Sequence, residues 1–265
     1  MPWSTTSFLL SALSLTALSV HAQTPGAQIA PTGTLRAAFL GENPALGKVD
    51  AQTGAITGPV ADFVKDFARR LGVPYQLIPS KNTPDVIAQL KAGTADIGFF
   101  AYNAGRAKEV DFTPAWLLMP NSYIVRADSP IVKVADADRA GVHIQAVKAD
   151  TQDVFLSNNL KNTKVDAVAA MPAGADLETL LRDGKIDAFA ANRQRLVEIG
   201  EKFPTLRVVA DDFFVAAQAI AITKGDPARL AAVEKILNEI LATSVVQDSI
   251  QRAGLRGVNP AQPKR

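Results

Sequence analysis

Residues 90–112 read LKAGTADIGFFAYNAGRAKEVDF, and the opening of this phrase returns in weaker form as LLRDGKIDAFAAN at residues 180–192. Both copies carry Leu-x-x-Gly-x-x-Asp ahead of a short apolar run: Leu90, Gly93 and Asp96 in the first, Leu181, Gly184 and Asp187 in the second. Self-similarity of this kind marks a repeated supersecondary unit. The order reads as a helix end, a glycine C-cap and a buried parallel strand with ligand-facing residues at its carboxyl end. Two such units predict two α/β lobes facing one another.

Outward from the first copy, Thr34 to Leu40 reads as a buried strand and Gly41 to Thr57 as a loop, with Asn43 and Pro44 just past the strand's end. Gly58 and Pro59 open a helix whose Phe63, Phe67, Ala68 and Leu71 recur at helical spacing, and Gly72 with Pro74 ends it. Tyr75 to Ile78 is a second strand and Asp85 to Ala92 the helix that feeds the phrase. This βαβαβ series calls for parallel strands covered by helices. Trp116 to Val125 leads into a second lobe, in which Val142 to Val147 and Lys164 to Ala169 are strands. Asp150, Thr151, Gln152 and Asp153 form a capping-box-like helix start. Ala216 to Ile222 (AAQAIAI) is an apolar run that returns the chain to the first lobe. The expected division is residues 34–118 plus 220–258 for one lobe, 119–219 for the other, and a mobile tail over 259–265.

Composition narrows the function. The 265 residues include 28 basic and 26 acidic ones, with no run of like charge, so nucleic acid is not an expected partner. There is no cysteine, and His21 and His143 stand far apart. That leaves no basis for a disulfide, a thiolate nucleophile or a zinc site, and no metal or cofactor is expected. Phe8 to Val20 (FLLSALSLTALSV) has the length of a signal-peptide core and ends at Val20-His21-Ala22, a small-x-small cleavage pattern. Residues 1–22 are read as a signal peptide and 23–33 as a flexible leader. The mature protein is expected in the periplasm, without a lipid anchor, as a monomer.

Leu90-x-x-Gly93-x-x-Asp96, then Arg106 and Val110-Asp111-Phe112-Thr113, preceded by the strand at Leu35–Leu40 and the Gly58…Asp62 helix start, resembles the family 3 solute-binding proteins of ABC importers. The resemblance spans about Thr34 to Gly254. It implies the two-lobed type II periplasmic-binding-protein fold, with a mostly parallel sheet in each lobe and two hinge crossovers. It also implies a small carboxylate ligand, an amino acid or related acid, and docking on an inner-membrane ABC permease. In that family an arginine after the strand grips the ligand carboxylate, and Arg106 takes its place; a guanidinium's planar fork matches a carboxylate bidentately. Backbone groups at Ala101 and Tyr102 would assist. In the second lobe Thr151 and Gln152, beside Asp150, fall near the family's anion-friendly helix start.

Two departures stand out. The family's small hydroxyl residue falls on Ala101, and the carboxylate that pairs with an α-ammonium falls on Asn192. Either Glu42 or Asp150 supplies that charge from another direction, or the ligand lacks an α-amino group. With Asn43, these residues complete the expected ligand site. The expected activity is binding without chemistry. The alternatives on the same scaffold are a ligand-binding sensor or adaptor and a cyclohexadienyl-dehydratase-like enzyme, for which Asp150 and Glu42 would be the acid–base candidates.

Overall fold

The computed structural model of the chain describes residues 25–263; the segment read as a signal peptide lies outside them. In chain order the elements are α1 (Pro25–Ile29), β1 (Leu35–Leu40), β2 (Lys48–Val49), β3 (Ile56–Thr57), α2 (Pro59–Leu71), β4 (Tyr75–Ser80), α3 (Thr83–Lys91), β5 (Ile97–Ala101) and β6 (Val110–Arg126). Then follow β7 (Ile144–Val147), α4 (Thr151–Asn159), β8 (Val165–Val168), α5 (Gly174–Arg182), β9 (Ala188–Asn192), α6 (Arg193–Lys202) and β10 (Leu206–Val208). The chain closes with β11 (Phe214–Thr223), α7 (Pro227–Leu241), α8 (Val245–Arg252) and β12 (Asn259–Pro260).

Hydrogen-bonded strands run in the order β4-β1-β5-β11-β6-β9-β7-β8. In the first half β1 pairs in parallel with β4 and β5, and β11 lies antiparallel against β5. In the second half β7 pairs in parallel with β8 and β9, and β6 lies antiparallel against β9. Each half thus has the same plan: a three-stranded parallel sheet, its first strand central, bordered by one antiparallel strand. The two antiparallel strands pair with each other from Phe214–Asn121 to Thr223–Val110, so a single ribbon joins the halves.

Alternation along the strands puts an apolar cluster on each face of each half. Phe99 packs edge-on against Phe63 and Trp116 on one face of the first sheet, with centroids 5.6 and 5.4 Å away. Phe100 packs on Phe112 on the other. In the second half Ala188 and Ala190 face the Ile144 cluster, while Phe189 faces Leu177 and Leu196. Burying each large side chain is worth about 1.5–3 kcal/mol.

Two expectations are corrected. The leader is not free through residue 33: Pro25–Ile29 is helical, Ile29 is fully buried, and its carbonyl accepts from Arg229. The tail is not mobile over 259–261: β12 pairs with Leu117 and Leu118, Ala261 N donates to Trp116 O, and Val258 and Ala261 are buried. A stretch rich in Pro and Gln reads as loose in isolation. Here the edge of β6 away from β11 offers it backbone partners.

The crossover segment expected around Trp116–Val125 extends to both sides of that stretch. β6 runs for 17 residues despite Pro114 and Pro120. Its pairing with β11 shifts register near Gln218 and Ala219, the break that a mid-strand proline requires. Thr113 Oγ1 accepts from Ile220 N there and restores a ladder bond.

Candidate functional site

Between the halves lies a cleft of about 630 Å³, within the range of small-molecule sites. Its walls are the strand ends the repeat was read to present. The first half contributes Leu40, Glu42, Asn43 and Pro44 past β1, Lys81 to Pro84 past β4, and Ala101 and Arg106 past β5. The second contributes residues 147–152 past β7, 169–171 past β8, and Asn192 and Arg195 at the β9–α6 junction. Met119 and Asn121 of β6 and Ala216 and Gln218 of β11 form the floor.

Of the sequence-predicted residues, Arg106, Ala101, Asn192, Asp150, Thr151, Gln152, Asn43 and Glu42 all line this cleft. Tyr102 does not. It is 49% exposed and stacks edge-on against Phe112. The reason is strand alternation: Ala101 points into the cleft, so its neighbour points away.

Arg106 is held from two sides. Its Nη1 donates to Ala101 O at 2.7 Å, and its guanidinium lies 5.9 Å from the Phe100 ring centre. Asn103 Oδ1 accepts from Arg106 N at 2.8 Å and fixes the turn that carries it. No carboxylate among the described residues forms an ion pair with it. Burial pulls its pKa below the ordinary arginine value, and the Asp150 charge opposes that. It stays cationic at any physiological pH.

Asp150 occupies the N-cap position of α4 but makes no capping hydrogen bond. The capping-box expectation is therefore corrected: Asp153 Oδ2 accepts from Ala149 N instead, stabilising Ala149 at φ 62°. A left-handed non-glycine residue beside a site is a recognised strain. Asp150, the next residue, lines the cleft. The surrounding walls push that carboxyl above the ordinary aspartate value, while Arg106 and then Arg195 pull it down. Gln152 is committed: its Nε2 donates to Asn121 Oδ1 at 2.5 Å, tying α4 to β6. Asn192 is committed too, since its Oδ1 caps α6 by accepting from Arg195 N at 2.9 Å.

The sequence reading missed Lys81, Lys148, Arg195, Asn121 and Gln218. The two buried amides did leave a signal, because each is a polar residue inside an apolar strand. The basic residues left none. Charged side chains lining the cleft are Lys81, Arg106, Lys148 and Arg195 against Glu42 and Asp150, an excess of positive charge. Among the described residues no His, Cys, Asp and Glu cluster could hold a metal ion.

The model of the bacterial extracellular solute-binding proteins, family 3, matches residues 35–252. The chain is similar to the L-cystine-binding protein TcyJ of Escherichia coli strain K12, 25% identical over 219 residues, spanning 81% of this chain and 80% of that one. Among solved structures it is similar to AbpA of Streptococcus pneumoniae, an amino acid ABC transporter substrate-binding protein bound to L-arginine. That match has a TM-score of 0.67, 23% identity, and covers 85% of this chain and 96% of the other. It is also similar to the ancestral amino acid-binding protein AncCDT-1, a precursor of cyclohexadienyl dehydratase, with a TM-score of 0.68, 22% identity, and 87% and 99% coverage.

Proposed function

The chain belongs to the bacterial extracellular solute-binding proteins of family 3 and has their two-lobed type II periplasmic binding fold, and from that premise we propose that it is the ligand-capturing component of an ABC importer. Its two lobes close on a small carboxylate by bending the β6–β11 ribbon, and the closed form docks on an inner-membrane permease. The proposal contains no chemical step. It places the mature protein in the periplasm, delivered by the segment at residues 1–22.

One observation carries the ligand assignment. Arg106 sits in the cleft, anchored by Ala101 O and the Phe100 face, with no ion pair of its own among the described residues. A desolvated guanidinium kept in place but unpaired is suited to an anion supplied from outside the chain. The basic excess around it supports the same sign of ligand.

The test is a thermal-shift screen of the protein against α-amino acids and matched carboxylates lacking the amino group. A ligand at 100 times its Kd stabilises by about 2.7 kcal/mol. Arg106→Ala should abolish the shift for every acid that produces one. A shift that survives the substitution rules out the carboxylate clamp.

A further inference from the structure

Gln218 is a cleft residue to which the proposed function assigns no role. It lies on β11 in register with Ala101 of β5, so the two side chains share a face of the sheet. It is 5% exposed, yet it lines the cleft. Its Oε1 is buried with no hydrogen-bond partner among the described residues. A buried amide oxygen left unpaired is a standing cost to the fold, and such groups call for a partner from outside the chain. The pairing of β11 with β6 shifts register at this residue. Bulges re-aim side chains and gather beside functional sites.

Resting on the carboxylate reading above, we propose that Gln218 is a specificity-determining ligand contact. Its amide takes the hydroxyl of an α-hydroxy acid while Arg106 takes the carboxylate. The two groups flank one strand end: Arg106 Nη1 bonds Ala101 O, and Gln218 pairs with Ala101 from the next strand. The contact is to an uncharged group because Gln218's register partners on both neighbouring strands, Ala101 of β5 and Leu117 of β6, carry no charge to hold an ammonium. Ala101 has no hydroxyl, the Asn192 oxygen is spent on Arg195 N, and Asp150 faces Arg106 and Arg195. A hydroxyl donates to the free Oε1 without needing a counter-ion.

The experiment measures Kd by titration calorimetry for three matched sets: lactate, propionate and alanine; malate, succinate and aspartate; phenyllactate, phenylpropionate and phenylalanine. In the wild type, the hydroxy acid of at least one set should bind about tenfold or more tighter than its des-hydroxy partner, and tighter than the amino acid. Gln218→Met, close in volume, should bring that ratio to within about threefold. Gln218→Glu should turn the preference toward the amino acid. Acids that bind with no hydroxyl preference, or a preference unchanged in Gln218→Met, overturn the proposal and leave the Arg106 clamp standing. A wild type that shows no hydroxyl preference overturns it whether or not a variant folds. If no acid in any set binds the wild type, the clamp fails and this assignment fails with it.

Discussion

In the first half of the molecule Asp96 N donates to Arg36 O while Asp96 Oδ2 accepts from Arg36 N at 2.8 Å; in the second, Asp187 N donates to His143 O while Asp187 Oδ2 accepts from His143 N at 2.8 Å. The aspartate of each repeat is thus a clip that ties the third strand of its sheet to the first. Its preceding glycine does matched work: Gly93 and Gly184 turn at φ 67° and 68°, and the next two amides fold back onto Gln89 O and Leu180 O respectively. The company differs. Asp96 is buried and also holds the Arg36 guanidinium at 2.7 Å, with Arg229 at 3.6 Å. Asp187 is half-buried and forms no ion pair among the described residues. One motif therefore performs one backbone task in both halves, while its energetic weight depends on what packs around it.

That contrast can be broken by removing each clip in turn. Asp96→Ala should cost about 3–5 kcal/mol in urea-induced unfolding, because it strands Arg229 and Arg36 near the core. Asp187→Ala should cost about 1 kcal/mol, the worth of an ordinary hydrogen bond beside water. Equal losses would show that burial does not set the difference.

Much of this plan was open to a reader of the sequence. The repeat, its glycine caps, the parallel sheets and the arginine after the first copy all follow from short-range patterns. The clip partners did not, because Arg36 and His143 lie far from Asp96 and Asp187 along the chain and nothing local points to them. The same holds for the tail, whose partners Trp116, Leu117 and Leu118 lie far back along the chain.

The cleft extends the comparison to the two strand ends. The first copy ends in Ala101 with Arg106 beyond it; the second ends in Asn192, which caps α6. Between them stands Asp150, whose carboxyl is raised by burial and lowered by Arg106 and Arg195, with Asp153 adding to the rise. Folding raises this pKa, so the folded protein keeps the proton longer, and its stability falls as pH rises through the window above the unfolded value. Carboxylate binding should tighten by a few-fold as pH falls through the same window, because the neutral form no longer repels the ligand. Asp150→Asn should bind tighter at neutral pH and lose the dependence; calorimetry across pH checks both.

The smallest effect sharpens the contrast most finely. Asn192→Asp keeps a good N-cap, so thermal stability should move by only a few tenths of a kcal/mol. It places a carboxylate at the second strand end, so α-amino acids should gain affinity relative to their des-amino partners. An unchanged ranking would mean that this strand end does not face the ligand.

From the sequence alone come the repeated unit and its strand ends, which rest on local spacing and capping, and Arg106 as the expected ligand cation, which rests on the family resemblance. Tertiary structure decided the rest. It turned Tyr102 out of the cleft, spent Asn192 and Gln152 on internal bonds, left Gln218 without a partner, and gathered Lys81, Lys148 and Arg195 around the same space. The physical reason is that whether a polar side chain is free depends on which neighbours folding brings to it, and those neighbours come from the other strands and the other half.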